Sequence, residues 1–474
     1  MLIKAETENF KSFEQETELS LVSSAKIRSH QDHKLELCGA NILKYAVIYG
    51  ANASGKSNLV SFFSVMKKIV LFGLSHEFSQ DFSKTKADNQ NLPTEFSVQI
   101  SLDQGVYAFG FRADLNQMRI VEEWLFELKA DGSARPLYSI DAKENYKIEV
   151  DGRLKRGLEH NPEEKKRFEV YATDYAQSPV HKDLFLTLMV KNKLISAKSP
   201  LNVFREVYSW FKDDLKIISP NTHSMRLDVD RYEVDTEEIC RLISSFDTGI
   251  ESISMKELPI TELPSEIRFI IENQVKRADS LLNNSDGNYA KSDQKEAADE
   301  TVLTIRSNDE YYSVSFRKNT PVQIRQLVFN HYGSSLDFFL QEESEGTRRL
   351  LDLIDILLSN KNNQTYIIDE LDRSFHPNMT RYFIENFLKV NEGRNNQLIF
   401  TTHASSLLNQ EIFRRDEYWF VERQKDGTSI LYPLDTFKVR HDKLLHKDYL
   451  EGRYGAVPAF SGFVYADDDG DIPS

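Results

Sequence analysis

The sequence predicts an α/β fold: a mixed sheet with flanking helices plus antiparallel strands, interrupted by a mainly helical insertion. Three observations predict it. The apolar run Lys44-Tyr45-Ala46-Val47-Ile48-Tyr49 leads straight into Gly50-Ala51-Asn52-Ala53-Ser54-Gly55-Lys56-Ser57, and Leu59, Phe62, Phe63, Met66, Ile69 and Val70 follow at helical spacing. Far downstream, Tyr366-Ile367-Ile368 reads as a buried strand ending in Asp369-Glu370, and Gln397–Thr401 reads as another. Between these, Phe96, Val98 and Ile100 alternate with polar residues, as do Tyr107, Phe109 and Phe111, which is the period of antiparallel strands with one buried face.

In chain order, residues 3–21 form a hairpin or two paired strands around Asn9-Phe10-Lys11-Ser12-Phe13, and the polar residues 23–34 form a loop. The strand, glycine loop and helix come next, then antiparallel strands from residue 94 to about residue 127. Residues 199–216 and 236–246 carry helical apolar spacing, and the Asn-, Asp-, Ser- and Lys-rich residues 277–300 read as exposed. Strand text resumes at 301–316, and residues 350–358 are helical. The expected division is therefore a head split in two, residues 1–130 and 301–474, around an insertion at 131–300.

A chain of 474 residues buries a substantial core, and its 40% hydrophobic and 28% charged content is that of soluble globular proteins. No apolar run reaches the roughly 18 residues of a bilayer span. The start, Met1-Leu2-Ile3-Lys4-Ala5-Glu6, lacks the apolar centre of a signal peptide, so a cytoplasmic protein without membrane contact is expected. Cys38 and Cys240 stand far apart and offer no metal-ligand spacing. The net charge of −15 argues against an overall basic nucleic-acid binder. Lys165-Lys166-Arg167 follows Glu163-Glu164 and reads as a solvated helix face of mixed charge.

Residues 50–57 match G-x-x-x-x-G-K-[ST] in full. The glycines let backbone N–H groups turn around phosphate oxygens, Lys56 places a cation on the β- and γ-phosphates, and the Ser57 hydroxyl ligates Mg²⁺. The next helix aims its N-terminus at the same anion. Downstream, Asp369 is placed for the metal and Glu370 for polarising the attacking water. His403, in Thr401-Thr402-His403, is either a structural histidine at a strand end or a contact to the γ-phosphate. Ser344-Glu345-Gly346-Thr347 opens a helix and reads either as a cap, Ser344 to Thr347, or as hydroxyl and backbone donors for an anion.

Taken in this order, the P-loop, Ser-Glu-Gly-Thr, Ile-Ile-Asp-Glu, Leu371-Asp372 and Thr402-His403 resemble the ABC-type ATPase heads of the SMC, RecF and overcoming-lysogenization-defect group. Asn9-Phe10-Lys11-Ser12-Phe13 is similar to that group's N-terminal strand motif, and Asn58 is typical of it. More narrowly, residues 46–58, Glu343-Ser344-Glu345-Gly346-Thr347-Arg348-Arg349 and the ending Tyr449-Leu450-Glu451-Gly452-Arg453-Tyr454-Gly455-Ala456-Val457-Pro458 resemble the AbiLi/RloA-like ATPases of bacterial abortive infection. The resemblance implies ATP and Mg²⁺ as cofactors and slow hydrolysis. It also implies an ATP-dependent dimer or a higher oligomer, and a separate effector, frequently a nuclease. Ser344 and Gly346 would be the signature that contacts ATP held by the other subunit, Leu371-Asp372 the D-loop and His403 the switch histidine. Here the signature reads Ser-Glu-Gly-Thr where Ser-Gly-Gly-Gln is usual. Gln99 and Gln104 are candidates for the Q-loop and neither is preferred; Lys11 and Ser12 are candidates to approach the nucleotide.

Absences narrow the reading further. No Asn-Lys-x-Asp string is present to read guanine, which favours ATP over GTP. No second carboxylate or histidine cluster has nuclease spacing, and the acidic run Asp467-Asp468-Asp469-Gly470-Asp471 reads as a solubilising end. An ATP-driven switch, an ATP-bound scaffold that sequesters an effector, and an SMC/RecF-like DNA-repair ATPase all satisfy these residues. Contact with nucleic acid is left open.

Overall fold

The computed structural model describes all residues except 38, 130, 221–235, 266, 270, 273–299, 307–309, 318–320, 438–444 and 458–474. Cys38, residues 277–299 of the polar stretch, Pro458 and the acidic end therefore lie outside the described residues. Packing divides the chain into two units. One comprises Met1–Ser219, Lys361–Leu371 and Asn391–Ser474, and the other Pro220–Asn360 and Asp372–Val390.

The first unit is built on two sheets. Its six-stranded sheet runs in the order Leu215–Ile218, Thr365–Ile368, Gln397–Thr401, Tyr45–Tyr49, Tyr418–Arg423, Ser429–Pro433. The first five strands are parallel and the last is antiparallel to its neighbour. Every residue of Tyr45–Tyr49, Thr365–Ile368 and Gln397–Thr401 is buried, as expected of parallel strands covered on both faces. The seven-stranded sheet is antiparallel, in the order Ile148–Val150, Ala134–Asp141, Arg119–Leu128, Gly105–Asp114, Thr94–Leu102, Leu2–Glu8, Thr17–Ser20. The pairing of Leu2–Glu8 with Thr17–Ser20 is the hairpin expected around residues 9–13.

One apolar core joins the two sheets through the helix Lys56–Phe72. It takes Phe96, Phe109 and Phe111 from the antiparallel sheet, Phe62, Phe63 and Met66 from the helix, and Ile48 and Ile367 from the parallel sheet. The rings of Phe62 and Phe96 stack at 5.7 Å. Burying each such side chain contributes about 1.5–3 kcal/mol, so the helix that opens at the P-loop is firmly seated.

Between residues 131 and 219, helices Gly152–Glu159, Pro162–Gln177, Phe185–Val190 and Asn202–Ser209 alternate with strands and pack into the same core. The charged run Lys165-Lys166-Arg167 lies on Pro162–Gln177, where Lys165 and Arg167 make ion pairs of 3.9 Å with Glu169 and Glu164. The helix expected through residue 216 ends earlier. A π-helical turn, Trp210–Asp214, closes it, and Leu215–Ile218 is a strand because its apolar residues pair in parallel with Thr365–Ile368. Glu123 is fully buried and accepts hydrogen bonds from the Phe185 and Leu186 amides (2.7 and 2.9 Å) and from the Tyr138 hydroxyl (2.7 Å). Burial pushes its carboxyl up to about 7 against the pull of those three donors.

The second unit holds an antiparallel sheet in the order Ile250–Glu257, Gln323–His331, Tyr311–Arg317, Glu300–Arg306. Its helices include Thr236–Ser244, Glu345–Leu358 and Pro377–Val390. Ile239, Ile243, Phe329, Leu351 and Ile354 form its core. Among the described residues, no helix is long and apolar enough to cross a membrane.

Candidate nucleotide site

The loop after Tyr45–Tyr49 has the backbone that its glycines predict. A Cβ at Gly50 would stand 2.4 Å from Ser54 Oγ and 2.5 Å from the Val421 carbonyl oxygen, so no other residue fits there. Gly55 adopts φ +115° at the helix N-cap, with Ser429 Oγ and Ser12 Oγ 2.7 and 2.8 Å from where its Cβ would be. Ala53 is also left-handed, at φ 61°. The first turn of Lys56–Phe72 leaves backbone N–H groups with no intrahelical acceptor, which makes an anion site with a positive dipole end. Lys56 is buried, and its Nζ donates to the Gly50 and Ala51 carbonyls (2.8 and 3.0 Å), which holds the ammonium against the loop. Ser57 is exposed in that first turn, next to half-buried Asn58.

The carboxylates arrive at the same sheet edge through strand register. Ile368 lies opposite Phe400, and Phe400 opposite Val47, in parallel strands. Asp369 and Glu370 thus leave the sheet level with Ile48 and Tyr49, just before Gly50. One strand intervenes, a lateral separation of about 10 Å, which leaves room for phosphate oxygens between the carboxylates and the loop. The intervening strand ends in Thr401-Thr402-His403 and orders the pair. Thr401 Oγ1 donates to Asp369 Oδ1 (2.6 Å) and accepts from the Glu370 amide (2.7 Å). Glu370 is held at φ 48°, a left-handed conformation that costs a non-glycine residue about 1–2 kcal/mol. His403 is exposed at the end of the same strand, after Thr402, whose Oγ1 accepts from the Ala404 amide (3.0 Å).

The Asn9–Phe13 turn braces the loop from below. Phe10 and Phe13 are fully buried and bond to each other through their backbones (2.7 Å both ways), while the Asn9 side chain donates to the Asn89 and Leu92 carbonyls. Ser12 Oγ accepts from Asn58 Nδ2 (2.8 Å). Lys11 Nζ donates to Ser61 Oγ (2.6 Å) and lies 3.5 Å from Asp81, on a cavity of about 540 Å³ that Ser12, Asn58 and Arg423 also line. Gln99 sits within Thr94–Leu102 opposite Ala108, and Gln104 accepts from Arg153 (3.0 Å) at the following turn.

The donor set suits magnesium. Ser57 offers a hydroxyl and Asp369 a carboxylate, both hard oxygen donors. Ser57 and Asp369 would hold such an ion, which would supply positive charge against the phosphates. The groups that the chain brings to this edge are the amides of residues 51–57, the Lys56 ammonium, and Glu370 following Asp369 at the end of its strand.

In the second unit, Ser344 caps the helix Glu345–Leu358. Its Oγ accepts from the Thr347 amide (3.1 Å) and meets Thr347 Oγ1 at 2.8 Å. The capping reading of this serine is therefore correct. A Cβ at Gly346 would come 2.9 Å from the Ser374 carbonyl oxygen, and Ser374 Oγ donates to Glu345 Oε2 (3.1 Å). Ser344, Gly346, Asp247 and His376 line a cavity of about 500 Å³. One of the boundaries between the units falls between Leu371 and Asp372.

The family model described as "AAA domain, putative AbiEii toxin, Type IV TA system" matches residues 46–409, well over half of the chain. The chain belongs to this AAA family. Among solved structures, this AAA-family chain is similar to an SMC head bound to the C-terminal winged-helix domain of ScpA, with TM-score 0.41 and 13% identity over 92% of this chain and 99% of that one. It is similar also to the SMC head domain from Thermotoga maritima, with TM-score 0.33 and 12% identity over 91% and 98%. A third is an SMC head with an extended coiled coil, bound to the C-terminal domain of ScpA derived from Pyrococcus furiosus, with TM-score 0.34 and 13% identity over 96% and 99%. No curated protein sequence matches it. With its P-loop and carboxylate strand on one parallel sheet beside an antiparallel one, the protein has a mixed α/β P-loop NTPase fold, in keeping with its AAA family.

Sequence reasoning missed Ser429. Its Oγ donates to the Ser54 carbonyl (2.6 Å) and its amide to the Ser12 carbonyl (2.7 Å), tying the P-loop to the Asn9–Phe13 turn. A single serine in a late strand carries no sequence signal. The C-terminal string also acquires a physical role. Tyr449 packs on Tyr49 (5.5 Å) and Phe420 (5.7 Å), and Tyr432 donates to the Tyr454 carbonyl (2.9 Å), so residues 449–456 back the P-loop strand.

Proposed function

We propose that two copies of the chain trap two ATP molecules, each between the P-loop of one copy and the Ser344–Gly346 signature of the other. Glu370 activates the water, His403 contacts the γ-phosphate, Leu371-Asp372 crosses the interface, and hydrolysis releases the clamp. The switch acts in bacterial antiviral defence of the abortive-infection kind and drives a separate effector. The observation that supports this reading best is the common edge of three parallel strands, which delivers residues 50–57, Asp369-Glu370 and Thr402-His403 to one place. The signature helix supports the composite site, since its glycine and capped serine keep an N-terminus ready for an anion.

The test uses two variants. Lys56→Ala loses Mg·ATP binding, whereas Glu370→Gln keeps it, loses turnover and accumulates as an ATP-bound dimer in light scattering. Normal hydrolysis by Glu370→Gln removes the assigned base.

A further inference from the structure

We propose that His30, Asp32 and His33 form a binding site for a first-row divalent transition metal, with Zn²⁺ the preferred ion, distinct from the nucleotide site. One ligand atom of each residue lies within 4.8 Å of the others, and His33 Nε2 stands 3.8 Å from Asp32 Oδ2. Ligands 2.0–2.1 Å from a zinc ion stand roughly 3–3.5 Å apart, so the cluster closes by about an ångström when loaded. The Asp32 side chain, 76% exposed, has the freedom to make that movement.

What separates this cluster from a chance grouping is the shell behind it. Histidines that bind metal use one ring nitrogen and fix the other on a carboxylate or a backbone carbonyl. Both histidines here have such a partner. His33 Nδ1 lies 3.0 Å from the Glu417 carboxylate, which is fully buried, and His30 Nε2 lies 2.8 Å from the Gln410 carbonyl oxygen. Glu417 is itself held, its Oε2 accepting from the Arg414 amide (2.6 Å). Fully buried Arg414 donates to both oxygens of Asp416 (2.9 and 2.8 Å) and to the Ser29 carbonyl (2.6 Å), and Asp416 accepts from the Ser24 amide (2.8 Å). The loop is thus fastened before any ion arrives, and little ordering entropy remains to oppose binding.

Two imidazoles and one carboxylate suit Zn²⁺ and its neighbours rather than Mg²⁺. Three protein ligands leave a fourth position for water. The ion would fix residues 30–33, whose imidazoles hydrogen-bond to Gln410 and Glu417 in the segment leading into Tyr418–Arg423, the strand beside the P-loop strand.

The test uses untagged full-length protein, stripped with a chelator and free of nucleotide, titrated with Zn²⁺ against a chromophoric chelator. One Zn²⁺ per chain is expected, bound micromolar or tighter, with no competition from millimolar Mg²⁺. Asp32→Ala, a surface change, is expected to weaken binding at least about tenfold, and His30→Ala with Asp32→Ala to abolish it while the circular dichroism stays that of the parent. Co²⁺ is expected to give a d–d spectrum without sulfur charge transfer. No stoichiometric Zn²⁺, unchanged affinity in a folded double variant, or a thiolate band from cobalt would each overturn the proposal.

Discussion

Replacing Thr401 by valine removes one oxygen from a site whose two carboxylate residues both depend on it. That oxygen donates to Asp369 Oδ1 at 2.6 Å and accepts from the Glu370 amide at 2.7 Å. Losing a hydrogen bond to a charged group costs about 1.5–3 kcal/mol, and an amide left without its acceptor costs about 1–3 kcal/mol. The amide belongs to a residue held at φ 48°, so without its acceptor Glu370 relaxes toward an ordinary conformation and its carboxylate leaves the strand edge. If about 2–4 kcal/mol of this orientation is expressed in the transition state, kcat falls roughly 30- to 1,000-fold. The KM for ATP stays within about threefold, because the P-loop is untouched. Steady-state phosphate release measures both constants, and Thr401→Ser, which keeps the oxygen, is expected near the wild-type rate. A Thr401→Val enzyme with wild-type kcat would refute the positioning role.

Gly346→Ala drives a Cβ to 2.9 Å from the Ser374 carbonyl; thermal unfolding should show about 1–3 kcal/mol of destabilisation, and ATP-dependent pairing should fail. Ser429→Ala cuts the tie between the P-loop and the Asn9–Phe13 turn, and calorimetry should show ATP affinity falling several-fold, by about 1 kcal/mol. Glu123 gives a pH signature. Its folded carboxyl is raised to about 7 from an ordinary 4.5, so its favourable contribution is complete below about 4.5 and is lost as pH rises through about 7. The full difference is about 3 kcal/mol, and urea unfolding should show about 2.5 kcal/mol of it lost between pH 5 and pH 8 in the wild type and little lost in Glu123→Gln.

The nucleotide half of the site was legible because its signals are local. A glycine loop, a lysine and a strand–helix context all fall within about two dozen residues, and the physics that demands glycine at 50 and 55 acts over a few ångströms. The carboxylate pair was legible as a strand end, but its nearness to the loop depends on register across a third strand, which residue spacing does not encode. Leu215–Ile218 was lost for a related reason: helical text runs up to it, and only pairing with Thr365–Ile368 makes it a strand. The bond of Ser429 to Ser54, and those of Glu417, Arg414 and Asp416 to residues 24–33, join segments hundreds of residues apart and are built from residue types that occur everywhere. The expected division at residues 130 and 300 rested on composition, whereas packing separates the units at Ser219 and returns to the first unit for Lys361–Leu371.

The claim of a site shared between two copies is tested most directly by mixing two dead variants. Lys56→Ala spoils the P-loop half of every site and Ser344→Arg the signature half, so neither homodimer hydrolyses ATP. In a mixed dimer one site receives both lesions and the other receives none, and an equimolar mixture should recover about a quarter of the wild-type ATPase rate. A mixture as inactive as its components, or a Ser344→Arg protein that hydrolyses ATP unaided, would contradict the shared site.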